Sequence, residues 1–337
     1  MPACCSAGSK CSSYTFSFEE FRKFKIQIIV KKLKKFLNKI FIFSLIILAL
    51  IAAGEAYVRS LPNPARFKHR WMLAHSQEVE TLILGSSHCF YGLNPAAMGP
   101  NAFSLAQPTQ PYRYDWYELN RYPLPKLRCV VLPFSYQSLF EDLESEPRMR
   151  YWAVRYRLYM DCDIHSPLSP YGLECLHIAS FKEKLSSLWR PAQLTWNSLG
   201  FGTSYTYTSL LEQGSDNGQQ RAEENSYPDQ HSLALCTNML DSIASFCDRR
   251  NIRLLLITTP TSTSFRAHCL KRQMEVNDSV LHRMRQRHPS IEYRSYWADP
   301  DFTPADFYDA DHLNLRGAAK LTDKVVSDFS LNKEKNM

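Results

Sequence analysis

The chain has 337 residues, of which 45% are hydrophobic and 22% charged, and this composition excludes wholesale disorder. Its length predicts one large domain or two ordinary ones. The formal charge of +7 suggests nucleic-acid binding until the position of the charges is considered. Nine basic and two acidic residues within 1–39 account for all of it, and the rest of the chain is formally neutral. We therefore expect no nucleic-acid partner.

The basic tail, residues 1–39, leads into the most apolar stretch of the chain, residues 40–58. A helix of that length spans about 28 Å, enough to cross a hydrocarbon core of about 30 Å. The lysine-rich flank predicts a cytoplasmic N-terminus, with the remaining chain outside the cytoplasm, which is the periplasm if the protein comes from a Gram-negative bacterium. We expect an uncleaved signal anchor. A cleaved signal peptide is the alternative, because residues 53–56 are rich in small side chains.

Residues 23–39 have a helical period, with apolar side chains on one face and lysines opposite. This pattern predicts either a basic amphipathic helix on an anionic membrane leaflet or a solvated basic flank. Residues 59–75 contain two prolines and are predicted to be a short connector.

From residue 76 to about 330, short apolar runs alternate with helical stretches, followed by a polar tail at 331–337. The runs predict five strands: Thr81–Leu84, Asn101–Ala106, Arg128–Phe134, Ile252–Thr258 and Ile291–Tyr296. The clearest helices are predicted at Ser232–Arg249, Lys271–Arg287 and Leu315–Phe329, the last capped by Asn314. This alternation predicts an α/β domain whose parallel sheet is covered on both faces.

A long aromatic insert, about 140–230, separates the third and fourth predicted strands. An insert of this length is either a lid over a site or a helical subdomain, and we expect a helical lid.

The ten cysteines do not indicate a disulfide framework or a zinc site. Three precede the apolar stretch, which leaves an odd number beyond it. Cys236 and Cys247 lie about 16 Å apart on one predicted helix and cannot pair. The sequence contains neither CxxC nor HExxH, so we expect no metal and no cofactor, and mostly buried, apolar cysteines.

Two segments carry residues suited to catalysis. The first, Gly85-Ser86-Ser87-His88, follows the first predicted strand, and ligands bind outside the carboxyl ends of strands in open α/β sheets. A plain turn with a helix cap would have the same sequence pattern.

The second segment, residues 309–317, precedes the last predicted helix. Asp309, three residues before His312, can orient the imidazole so that its other nitrogen faces a nucleophile. Asp311 is an alternative orienting acid, and an acidic loop with a helix cap is the alternative to a site.

The two segments together resemble the motifs of the SGNH (GDSL-like) hydrolase superfamily, which has a Gly-Asp-Ser block after strand one and Asp-x-x-His before the final helix. The matches are Gly85 and Ser87 in the first block and Asp309 and His312 in the last. The resemblance covers about residues 79–330. It implies a flavodoxin-like three-layer α/β/α fold with about five parallel strands. It also implies a catalytic triad with Ser87 as nucleophile, His312 as general base and Asp309 orienting the histidine.

More narrowly, the chain resembles the membrane-anchored branch akin to DltD and the alginate O-acetylation proteins. This resemblance implies an esterase or O-acyltransferase acting on acyl esters, such as acetyl esters, of extracytoplasmic polysaccharide in the cell envelope. A multi-span membrane O-acyltransferase would be a partner. The alternative is a non-catalytic SGNH-fold protein that binds glycan or delivers it to such an acyltransferase.

The sequence departs from the family pattern at three places. In the first block, Ser86 replaces the usual aspartate. In the second block, Thr109 falls near the position of the usual glycine. The Thr109 N–H still serves as an oxyanion donor if the backbone does not need positive φ. The Asn of the third block is missing, and Ser135 is the candidate replacement. Loss of one such donor costs about 10²–10³ in rate. His88, beside the nucleophile, is a candidate pocket residue.

Overall fold

The computed structural model describes residues 18–145, 149–162, 173–174, 184 and 194–331. It divides into two units, residues 1–60 and 61–337.

The described part of the first unit is one helix, α1 (Phe18–Ser60), of 43 residues. The helix contains no proline, and its first glycine is Gly54. The basic segment 23–39 and the apolar stretch therefore form one continuous helix. Within it, Phe21–Ser60 is long and apolar enough to cross a membrane, judged by length and composition alone.

The second unit begins with α2 (Pro64–His75), where the sequence predicted a connector. The side chain of Asn63 accepts a hydrogen bond from the Arg66 N–H at 3.1 Å, and Pro64 occupies the first helical position. Proline there starts a helix instead of breaking it, because its missing N–H has no partner in the first turn. Met72 on this helix is fully buried in the core.

Five strands form one sheet in the described residues: β1 (Thr81–Ile83), β2 (Ala102–Ser104), β3 (Cys129–Pro133), β4 (Arg253–Thr258) and β5 (Ile291–Ser295). All neighbours are parallel, in the order β2-β1-β3-β4-β5. The predicted parallel sheet is therefore confirmed, and every strand end lies within two residues of its prediction.

The other α-helices of the described residues are α3 (Ser87–Gly92), α4 (Tyr112–Arg121), α5 (Arg150–Tyr159), α6 (Gly218–Glu224), α7 (Leu233–Arg250), α8 (Thr263–His268), α9 (Lys271–Arg287) and α10 (Leu315–Asp328). Side chains of β4 alternate between two apolar clusters: Leu254 and Leu256 belong to the larger, Leu255 and Ile257 to the smaller. Helices α4, α7 and α9 contribute to the larger cluster, and α3 and α10 to the smaller. Because adjacent strand residues point to opposite faces, helices cover both faces of the sheet.

The described part of the insert includes α5 and α6. Tyr156 of α5 is fully buried in the larger cluster and stacks on Tyr114 with ring centroids 4.0 Å apart. This end of the insert is therefore part of the main core. Most of the segment between residues 163 and 193, including Trp189, lies outside the described residues.

Five described cysteines are buried and Cys269 is half-buried. The prediction of mostly buried cysteines is confirmed for five of these six. Cys236 and Cys247 both lie on α7, as expected.

Candidate active site

The loop after β1 positions Ser87. Gly85 has φ +95°, and a Cβ there would lie 2.1 Å from Cδ of Pro133, the last residue of β3. Only glycine fits this close approach with that backbone conformation. Ser87 is then the first residue of α3, at the carboxyl edge of the sheet.

The loop before α10 positions His312. Asn314 caps the helix by accepting hydrogen bonds from the N–H groups of Arg316 and Gly317, as predicted. Within the loop, Oδ1 of Asp309 accepts from the backbone N–H of His312 at 2.8 Å. This local turn holds the carboxylate beside the imidazole of the same segment.

The structure brings together the three residues predicted as a triad. Nε2 of His312 lies 2.8 Å from Oγ of Ser87, and Nδ1 lies 2.9 and 3.1 Å from the two oxygens of Asp309. Burial alone would lower the pKa of His312, but the charges of Asp309 and Asp311 outweigh it and raise the pKa. The arrangement can move a proton from the serine hydroxyl to the imidazole.

A pocket of about 530 Å³ opens onto this arrangement. Its walls combine aromatic, amide and charged side chains with the reactive groups: Ser86, Ser87, Tyr91, Pro108, Thr109, Gln137, Glu141, Met149, Trp152, Tyr205, Arg221, Glu224, Asn225 and His312. Such a wall offers ring faces together with hydrogen-bond donors and acceptors, which suits a polar ligand.

Thr109 lines the pocket and has φ +58°, which lies in the left-handed region. The donor role was predicted on the condition that the backbone does not need positive φ, and this condition is not met. A β-branched residue pays a strain of about 1–3 kcal/mol there, where glycine would not. The backbone N–H groups of Thr109 and Ser87 form no hydrogen bond with any described residue.

His88 and Ser135 are not on the pocket wall. Both are buried, and Nδ1 of His88 lies 2.7 Å from Oγ of Ser135, while Nε2 lies 3.4 Å from Asp311. The Ser135 hydroxyl is thus engaged with His88, and His88 bridges two loops in the interior. Burial lowers the pKa of His88, which favours its neutral form.

Several wall residues were not identified from the sequence, among them Gln137, Asn225 and Arg221. Gln137 follows Ser135 by two residues, and the oxygen of its side-chain amide, Oε1, is buried without a hydrogen-bond partner among the described residues. The sequence signal that could have identified Gln137 was its position just beyond the carboxyl end of the third predicted strand. Arg221 lay in a polar stretch that carries no motif.

His88, Asp311 and His312 offer three potential metal-ligand atoms within 4.8 Å of one another. The donor set does not suit a cation, because the guanidinium of Arg221 donates to both oxygens of Asp311. A second positive charge beside Arg221 would be repelled.

A buried polar network supports the loop of Ser87. The Gly85 N–H donates to Asp115 at 2.7 Å, and the amide of Gln110 donates to the same carboxylate oxygen at 2.6 Å. Burial raises the pKa of Asp115 to about 7 despite these hydrogen bonds. The fully buried Lys68 donates to the carbonyl oxygen of Ala106, which lies in the chain that leads to Thr109.

A scan against protein-family models and a search of curated proteins found no match. Among solved structures, one described as "a putative platelet activating factor from Streptococcus pneumonia" aligns at 8% identity and a TM-score of 0.40. The alignment covers 86% of this chain and 98% of that one. A similarity of this size establishes neither a fold family nor an activity.

Proposed function

We propose that this protein is a serine esterase or O-acyltransferase of the SGNH type, anchored to a membrane by α1. The observation that carries the proposal is the hydrogen-bonded series Ser87–His312–Asp309 at an open pocket. The strand order β2-β1-β3-β4-β5, typical of flavodoxin-like sheets, is consistent with it.

In the proposed reaction, His312 accepts the proton of Ser87 while Oγ attacks the carbonyl carbon of an ester. The N–H groups of Ser87 and Thr109 hold the oxyanion, and the side-chain amide of Gln137 adds a donor from the same wall. Collapse expels the alcohol, which takes the proton from His312. Water or an acceptor hydroxyl then attacks the acyl-serine, with His312 again as base and Asp309 stabilising the imidazolium.

The proposed substrate is an acylated polysaccharide outside the cytoplasm. The basic residues before the apolar stretch favour a cytoplasmic N-terminus, which would place the pocket on the other side of the membrane. The ring faces of Trp152 and Tyr205 suit sugar rings, and Asn225 and Glu224 suit their hydroxyls. A multi-span membrane O-acyltransferase is the proposed partner.

The test uses the full chain in detergent, a serine-directed fluorophosphonate probe and an aryl acetate. We expect the unaltered protein to be labelled and to hydrolyse the ester, and Ser87→Ala to lose both activities. Ser135→Ala is the matched control and should retain labelling, because that hydroxyl lies buried against His88. Equal labelling of Ser87→Ala would overturn the nucleophile assignment, and an unlabelled wild-type chain would favour the non-catalytic glycan-binding alternative.

A further inference from the structure

A second carboxylate lies close to the imidazole of His312. Oδ1 of Asp311 is 3.5 Å from Nδ1, whereas Asp309 is 2.9 Å away, so Asp309 orients the ring. The Asp311 side chain has no exposed surface. A buried carboxylate in such a position needs a compensating charge, because desolvation otherwise favours its neutral form.

Arg221 supplies this charge. Its Nε and Nη2 donate to the two oxygens of Asp311 at 2.7 and 2.9 Å, a bidentate geometry that only arginine offers. Burial would raise the pKa of Asp311, but His312, His88 and Arg221 outweigh it and hold the pKa well below its usual range. The pair therefore stays charged next to the general base.

Helix α6 fixes the position of Arg221. A Cβ on Gly218 would lie 2.0 Å from Oγ of Ser264 and 2.6 Å from the Phe265 nitrogen, so α6 packs tightly on α8. Asn217, just before α6, accepts a hydrogen bond from the Ala310 N–H at 3.1 Å. The same short segment thus contacts the loop of Asp309 and His312 through Asn217 and Arg221.

We propose that Arg221 and Asp311 form a positioning pair that holds the loop of His312 and sets the pH at which His312 can act as a general base. This inference rests on the proposed function, because it assigns a role relative to that base. Neither residue needs to contact the substrate's reacting atoms.

The two members of the pair act on His312 with opposite sign. Asp311 stabilises the imidazolium and raises its pKa, and Arg221 lowers it. The other groups that face the ring are Ser87, His88 and Tyr91 from α3, Tyr205 from the loop before α6, and Asp309. A general base must be neutral, so activity rises with pH through the pKa of His312, and this rise is the acid limb of the pH profile.

The experiment measures kcat/KM for an aryl acetate against pH in the full chain. We expect Arg221→Met to move the acid limb up by about one pH unit and Asp311→Asn to move it down by about one. The double variant removes a pair with no net charge and should return close to the wild-type limb. Arg221→Lys, which keeps the charge without the bidentate geometry, should leave the limb near the wild-type position while lowering kcat.

Arg316→Met is the control for the overall charge of the protein, because Arg316 pairs with Asp306 at 3.2 Å and does not line the pocket. Its acid limb should not move. Shifts of the same sign in the two single variants, or loss of rate at every pH without any shift, would overturn the proposal.

A second readout separates this inference from the proposed function. NMR titration of the His312 imidazole in the full chain reports the same opposite shifts whether or not the protein turns over an ester. If the fluorophosphonate probe does not label the wild-type protein but the two variants shift the His312 pKa in opposite directions, the catalytic function is rejected and the positioning pair is kept. If the probe labels the wild-type protein but the variants do not shift the His312 pKa, the catalytic function is kept and the positioning pair is rejected.

Discussion

Two serine–histidine–aspartate series lie side by side in this protein. In the first, Ser87–His312–Asp309, the serine and histidine lie on a pocket wall. In the second, Ser135–His88–Asp311, all three side chains are buried. Nδ1 of His88 lies 2.7 Å from Oγ of Ser135, and Nε2 lies 3.4 Å from Asp311, which is the longer contact. The two imidazole centroids are 5.1 Å apart.

The same three residue types therefore do not make a site by themselves. The carboxylates raise the pKa of His312, whereas burial lowers that of His88. A base must face both a nucleophile and a substrate, and only Ser87 of the two serines lines the pocket. The second series instead connects the end of β3, helix α3 and the loop before α10.

The largest predicted effect distinguishes the two histidines. His312→Asn should lower ester hydrolysis by about 10⁴-fold or more, because the general base is lost. His88→Asn should stay within about tenfold in rate and instead lower the free energy of unfolding by about 1–3 kcal/mol, because Ser135 and Asp311 lose a buried partner. Steady-state rates and chemical denaturation of both variants check this pair. Equal rate losses would show that the two series act as one unit.

The next prediction concerns the contact between the two serine-bearing loops. Gly85→Ala should lower the free energy of unfolding by about 3 kcal/mol, because its Cβ would overlap Pro133 and its φ is positive. The matched control is Gly99→Ala, which also has positive φ but no atom within 4 Å of the added Cβ. It should cost about 1 kcal/mol. Thermal unfolding of both variants measures the difference, and equal losses would mean that the contact with Pro133 is unimportant.

The smallest predicted effect is at Thr109. Thr109→Gly should raise the free energy of unfolding by up to about 1 kcal/mol, because relief of the positive-φ strain exceeds the added flexibility of the unfolded chain. The rate should change less than threefold, since the N–H donor is retained. A rate loss of 10² would indicate that the threonine side chain itself contacts the substrate. Denaturation midpoints and kcat measure the two effects.

The sequence was informative wherever a pattern has a local physical cause. Apolar runs such as Leu254–Ile257 predicted buried parallel strands, and Asn314 predicted a helix start, because burial and capping depend on near neighbours. The grouping of Ser87 with His312, 225 residues apart, was instead implied by the resemblance of the two segments to the motifs of one family.

Other features depend on contacts that no local pattern encodes. The pairing of Arg221 with Asp311 joins the insert to the last loop, and nothing in either segment indicates the other. Burial of His88 follows from the packing of α3, so the residue adjacent to the proposed nucleophile faces the interior. Helix α2 was missed because Pro64 was interpreted as a breaker, although at the first helical position it starts a helix.

The unit that contains the pocket has no excess of either charge, and this limits how the proposed substrate would be attracted to it. Residues 61–337 carry equal numbers of acidic and basic side chains, so this unit has no net field to attract a charged polymer from a distance. Encounter then depends on ordinary diffusion and short-range contacts. Association with the proposed glycan substrate, neutral or charged, should therefore respond weakly to ionic strength, and we expect discrimination between the two kinds to arise after contact.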